Sequence, residues 1–143
     1  MSTRSTITAR LRDGSYRTVY CHWDGYPEAP YGVGWMLQQH YNSQELAEKV
    51  TSLGSLSSLA PSCYAPPGHS YNRPAEGHTV AYHRDRGEPW DRCNPGLGAT
   101  YEAAVDQVGV QEYNYLWNGS AWQLISDDPA EAIAFAAQTK VPA

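Results

Sequence analysis

Two His-x-Asp pairs occur in this chain, His22 with Asp24 and His83 with Asp85. On a β-strand, residues two apart share a face, so the pairs could converge on a metal ion or do general acid–base work. Neither HxxxH nor CxxC spacing accompanies them, and Cys21, Cys63 and Cys93 lie far apart in the chain. A structural role accounts for the pairs equally simply, with each His tucked against sheet aromatics and each Asp capping a turn. Cys21 would need a distant His to act as a nucleophile, because its neighbour His22 points to the other face of a strand. No catalytic residue, metal ligand or cofactor is therefore assigned, and the reading leans away from an enzyme.

Arginines beside aromatic rings offer a different chemistry. Arg84, Arg86 and Arg92 flank Trp90, and a tight turn at Asp13-Gly14 would set Arg10 opposite Arg17. Like charges facing each other across a hairpin are unfavourable unless an anion lies between them. Guanidinium forks suit phosphate, a base stacks on Trp or Tyr, and Asp or Asn can read polar ring edges. Gly32-Val33-Gly34, just ahead of a helix, could add backbone N–H groups. The plainer account of the arginines is a solvated face paired with Asp85, Glu88 and Asp91. A GC-rich genome would also produce the excess of Arg over Lys.

The elements that must position these residues are legible in part. Residues 3–11 alternate as a half-buried strand, and Tyr16–Trp23 returns from the Asp13-Gly14 turn. In that register Ile7 meets Tyr20, although Val19, Cys21 and Trp23 are a rival buried set. A Pro- and Gly-rich loop covers 24–34. Val33, Met36, Leu37, His40 and Tyr41 then recur at helical spacing. Asn42 with Glu45 resembles a capping box for a second helix, with Leu46, Val50 and Leu53 as its apolar stripe and Gly54 at its end. Residues 55–78 read as a long loop, Thr79–Arg84 as a short strand and Gly87–Gly98 as another loop. Glu112–Trp117 and Ala121–Ser126 form a hairpin about Asn118-Gly119, stacking Tyr113, Tyr115 and Trp117 with Trp122 and Leu124. Asp128-Pro129 opens a C-terminal helix. The expected architecture is one α+β domain over 1–143, an antiparallel sheet from the two hairpins with two to three helices on one face.

Composition narrows the class. The chain has 143 residues, with 11 Tyr and 5 Trp against a single Phe, so nearly every aromatic ring carries a hydrogen-bonding group. Aliphatics are sparse, yet the net charge of −5 is modest for a disordered chain. Arg4, Arg10, Arg12 and Arg17 make the first twenty residues basic, whereas 102–131 contains acids and no base. This balance does not suit a duplex nucleic acid partner. No apolar run is long enough to span a bilayer, and the N-terminus lacks the apolar stretch of a secretory signal. A cytoplasmic setting is expected.

The densest segment is Tyr20-Cys21-His22-Trp23-Asp24-Gly25-Tyr26-Pro27. With the Met1-Ser2-Thr3-Arg4-Ser5 start and the hairpin between them, it resembles small uncharacterised proteins of bacteriophages and actinobacteria. The resemblance covers mainly 1–54, and the late aromatic hairpin is also similar. In those proteins the motif continues Pro-Glu-Gly-Val-Gly, whereas here Ala29-Pro30-Tyr31 separates Glu28 from Gly32. The resemblance implies a phage setting and no particular activity.

The residues together favour a non-enzymatic protein that binds a small phosphorylated ligand, most simply a nucleotide. Its expected site comprises Arg10, Arg17, His22, Trp23, Asp24, Tyr26, Tyr31, His83, Arg84, Arg86 and Trp90. In a phage this would be a sponge sequestering a cyclic nucleotide or ADP-ribose-type immune signal, and a homo-oligomer could enclose the ligand. The alternatives are a small hydrolase acting through the His and Asp residues, and an inhibitor that contacts a host protein through the acidic half.

Overall fold

Asp13 accepts hydrogen bonds from the backbone N–H and the hydroxyl of Ser15 (2.9 and 2.6 Å), and Gly14 takes a left-handed φ of +88°. Leu11 N–H donates to Ser15 O at 2.7 Å, which leaves Arg12, Asp13 and Gly14 as a three-residue loop. The computed structural model, which describes residues 2–138, places this loop between β1 (Ser5–Arg10) and β2 (Tyr16–Cys21). One residue more in the turn moves every cross-strand partner by one. Ala9 therefore faces Arg17 and Arg10 faces Tyr16, so the Arg10–Arg17 juxtaposition expected of a tight turn does not form. Because side chains alternate along a strand, the slip also decides the faces. Ile7 pairs with Val19 and Ser5 with Cys21, leaving Tyr16 and Tyr20 off the core face.

The chain continues through α1 (Val33–His40), α2 (Gln44–Thr51), β3 (Leu56–Ser58), β4 (Val80–Ala81) and α3 (Tyr82–Arg86). Then come α4 (Trp90–Cys93), β5 (Gly96–Gly98), α5 (Tyr101–Val108), β6 (Tyr113–Trp117), β7 (Trp122–Leu124) and α6 (Pro129–Ala137). This is an α+β fold on a mixed sheet of order β4-β3-β2-β1-β6-β7, with β5 also paired to β2. Each terminal hairpin is antiparallel, and the two join through a parallel pairing of β1 with β6. No helix among the described residues is long and apolar enough to cross a membrane.

The core lies between the sheet and α1, α2 and α6. Ile7, Ala9, Val19, Cys21, Tyr115, Trp117, Trp122 and Leu124 face Val33, Met36, Leu37, Ala47, Val50 and Phe135. Gly34 permits the close approach of α1, since a Cβ there would lie 2.7 Å from the Phe135 ring. The buried rings find partners for their polar atoms. Tyr115 OH donates to Gly25 O (2.7 Å), Tyr41 OH to Ala60 O (2.6 Å), Trp117 Nε1 to Gln44 Oε1 (2.7 Å) and Trp122 Nε1 to Tyr41 O (3.0 Å). Without those partners each buried group would cost about 1–3 kcal/mol. On the other face Thr6 bonds Asn114 and Thr8 bonds Thr18, both at 2.7 Å, and α5 packs across β1, β2 and β5.

Local details differ from the expectations for physical reasons. Ser43, not Asn42, caps α2, its hydroxyl accepting from Leu46 N–H. The expected strand over 79–84 stops at Ala81, whose N–H donates to the Asp85 carboxylate (2.8 Å) as the chain coils into α3. The expected loop over 87–98 contains α4 and β5, and the Gln107 amide caps the outer edge of β5 at Leu97. The late turn centres on Gly119-Ser120, with Gly119 at φ +101°. That shifts the register by two residues relative to an Asn118-Gly119 turn, so Tyr113, Tyr115, Trp117, Trp122 and Leu124 keep their common face. Asp128 caps α6 with Pro129 at its start, as the sequence implied.

Trp122→Ala should cost about 3–5 kcal/mol in urea denaturation, as expected for a large buried ring. Trp23→Ala, at a side chain 43 % exposed, should cost under about 0.5 kcal/mol. Similar losses from both variants would contradict this division of the rings.

Candidate functional site

The His-x-Asp pairs do not share strand faces. β2 ends at Cys21, and Asp24 lies beyond it at a left-handed φ of +57°, its carbonyl accepting from Val33 N–H at 2.7 Å. His22 Nδ1 meets Tyr20 OH at 2.7 Å, and its ring stands edge-on to Trp23. His83 and Asp85 are on α3, where residues two apart diverge. Asp85 turns inward and accepts from Arg84 Nε and Nη2, both at 2.9 Å. Its Oδ2 also faces His69 Nε2 at 3.3 Å. His69 Nδ1 accepts from Ala75 N–H (2.9 Å), so the proton sits on Nε2, between Thr79 O and Asp85. His22, Asp24, His83 and Asp85 thus form no common cluster, and the buried His69–Asp85 contact clamps the 59–79 segment to α3. Among the described residues, no three His, Cys, Asp or Glu side chains gather as a metal site needs.

Several expected phosphate ligands are committed to the protein itself. Arg17 donates to Thr51 Oγ1 (3.2 Å) and Glu48 O (2.6 Å), fastening β2 to α2. Arg84, besides Asp85, donates to Cys63 O and to Thr79 O (2.7 Å). The N–H groups of Gly32, Val33 and Gly34 donate to Glu28 O, Asp24 O and Tyr26 O, so this stretch closes its own loop and offers no phosphate cradle. Arg10 is exposed at the far end of β1, beside Arg12. Tyr31 is 66 % exposed, and partial burial with the adjacent Asp24 carboxylate raises the Tyr26 hydroxyl above its ordinary value. His83 Nδ1–H donates to Glu88 O (2.7 Å) and its ring meets Trp90 edge-on. Trp90 itself lines a shallow cleft with Arg17 and Leu97.

Arg86 is placed differently. Its guanidinium carbon lies 4.6 Å from the Tyr71 ring centre and 5.9 Å from that of Tyr82, within cation–π range. It opens onto a groove of about 330 Å³ lined by Tyr20, Ser55, Tyr82, Arg86, Glu88, Arg92 and Cys93. Backbone bonds knit the contributing segments together: Tyr82 N–H to Ser55 O (3.1 Å), Ser55 N–H to Cys93 O (2.8 Å) and Tyr71 N–H to Asp85 O (2.9 Å). Tyr20 connects the groove to the expected loop site through its bond to His22. Burial is the main cause that raises the Tyr20 and Tyr82 hydroxyls, which are engaged with His22 and Ser57 respectively. Burial, then Glu88 and Asp91, raise the Cys93 thiol and keep it protonated, a poor nucleophile. The groove can therefore stack a ring, pair with an anion and donate hydrogen bonds. Tyr20, Tyr71, Tyr82, Glu88 and Arg92 were missing from the expected site, Arg92 having been noted only as a neighbour of Trp90. For Tyr20 the signal was its even position in β2, which becomes legible once the turn length is known.

A larger cleft of about 560 Å³ lies between α5, the β6–β7 hairpin and the start of α6. Glu102, Asp106, Glu112, Asp127, Asp128 and Glu131 line it together with Val110 and Ile125. Its carboxylates would repel a phosphate, so size alone does not make it the site for a phosphorylated ligand.

Asp85 links the groove to the fold and should show it on acidification. Burial by itself would raise its carboxyl, but hydrogen bonds from Arg84 and Ala81 N–H and the neighbouring Arg84 and His69 outweigh burial and hold it below its ordinary value of 3.8. The stability it contributes is present above 3.8 and is lost as pH falls through the lower folded-state value. Asp85→Asn should cost about 3–5 kcal/mol at pH 7 and remove part of the acid-side loss seen in urea titrations. An unchanged urea midpoint at pH 7 would contradict this role.

Comparisons with protein-family models, with curated proteins and with solved structures find no match for this chain.

Proposed function

We propose that this protein binds a small phosphorylated ligand, a nucleotide, without turning it over. The observation that carries this reading is Arg86, covered on one side by Tyr71 and opening with Arg92 onto a groove walled by Tyr20 and Tyr82. A base could stack on the tyrosine rings while the guanidiniums meet phosphate. The protonated Cys93, and the lack among the described residues of a common cluster of His22, Asp24, His83 and Asp85, argue for capture over hydrolysis. The groove is open, so a second subunit closing over it would enclose the ligand more fully. In the phage setting implied by the N-terminal motif, such capture would withhold a nucleotide immune signal from the host.

A second reading, contact with a basic protein surface, is favoured by the acidic cleft and its exposed Val110 and Ile125. It predicts a protein partner and no dependence on Arg86.

Calorimetric titration with nucleoside monophosphates, cyclic di- and trinucleotides and ADP-ribose tests the first reading. At least one should bind, and Arg86→Ala should weaken it at least tenfold, consistent with losing about 1.5–3 kcal/mol of charge-assisted hydrogen bonding. No binding by any member, or binding indifferent to Arg86, would overturn it.

A further inference from the structure

Glu88 lines the groove beside Arg86, the residue that would meet phosphate. Its Oε1 lies 3.6 Å from Arg86 Nε, longer than the ~2.7–2.9 Å of a charge-assisted hydrogen bond. The carboxylate thus offsets the guanidinium charge without a tight bond to it. Nor is its placement casual. Glu88 N–H donates to Tyr82 O (3.1 Å) and Glu88 O accepts from His83 Nδ1 (2.7 Å), so the backbone on both sides of the residue is held by α3. The other groove residues are Arg86, Arg92, the neutral Tyr20 and Tyr82, Ser55 and the protonated Cys93. Two cations and one anion line the groove, with Arg4 bonded to Tyr20 and Asp91 near Cys93 beyond its lining.

We infer that Glu88 limits the charge of the ligand, admitting nucleotides of low phosphate charge, such as monophosphates and diesters, and disfavouring triphosphates. The inference rests on the nucleotide-binding reading of the same groove. A lone phosphate monoester or diester can be matched by the two guanidiniums. A triphosphate brings further negative charge against the Glu88 carboxylate, and that repulsion acts over several ångströms at the groove surface.

The test is isothermal titration of the full chain with AMP and with ATP, free of divalent cations, for wild type and Glu88→Gln. The glutamine keeps the size of the side chain and removes its charge. Wild type should bind AMP at least as tightly as ATP. Glu88→Gln should tighten ATP about tenfold and AMP about threefold or less, because the removed repulsion scales with ligand charge. Glu88→Ala should shift the ratio in the same direction, which guards against an effect of the amide itself. A wild-type preference for ATP, equal tightening of both ligands, or no change in either variant would overturn the role of Glu88 while leaving nucleotide binding intact. No binding of AMP or ATP to any of these proteins would overturn the role of Glu88, and nucleotide binding in this groove would fall with it only if the cyclic nucleotides and ADP-ribose also failed to bind.

Discussion

β1 is bonded along both edges, antiparallel to β2 and parallel to β6, and both of its faces are covered. The first strand of the chain is thus an inner strand of the sheet, and its register fixes which side chains of β2 and β6 reach the core. Ile7 aligns Val19 on one side and Tyr115 on the other. Thr6 and Thr8 point the opposite way and must be satisfied by Asn114 and Thr18 under α5. A slip of one residue would bury Tyr20 in the core and expose Val19, and the ring that now walls the groove would be lost to it.

The tyrosines and tryptophans serve two ends in the same molecule. In the core their hydroxyls and indole N–H groups tie ring to backbone across elements, as Tyr115 does to Gly25 and Trp122 to Tyr41. These bonds make the core specific as well as apolar, because a ring that moved would strand a polar atom. Outside the core the same amphipathic character suits recognition. Tyr20, Tyr71 and Tyr82 remain half-exposed around two arginines. Arg86 lies against rings and lines the groove, whereas Arg84 is tied to carbonyls and Asp85, so two arginines of one short helix are placed differently.

Much of the fold was legible in the residues. The helical spacing from Val33 to Tyr41, the Asp128-Pro129 helix start and the aromatic face of the last hairpin all follow from local chemistry, and they appear where expected. The hairpin survived a misplaced turn because a shift of two residues preserves strand faces. The first hairpin did not, because Gly14 in the left-handed region closes a three-residue loop and a shift of one reverses them. That single residue removes the Arg10–Arg17 pair as an anion site. The parallel joining of β1 to β6 spans more than a hundred residues and leaves no local trace. Arg86, Trp23 and Tyr31 read as available, and the structure leaves them exposed. Arg17 read the same way, but its partner Glu48 is distant in sequence and only folding could reveal it; Arg84 is taken by the adjacent Asp85, as the plainer account had it, and also by the distant Cys63 carbonyl.

The central claim is capture without turnover in the groove of Tyr20, Tyr82 and Arg86. It is tested most directly by incubating the purified protein with a mixed nucleotide pool, washing it, denaturing it with heat and identifying what is released by mass spectrometry. Capture without turnover releases an intact nucleotide, close to stoichiometric with the wild-type chain and absent from a Tyr20→Ala/Arg86→Ala variant. A hydrolysed product, or the same release from that variant, would contradict it.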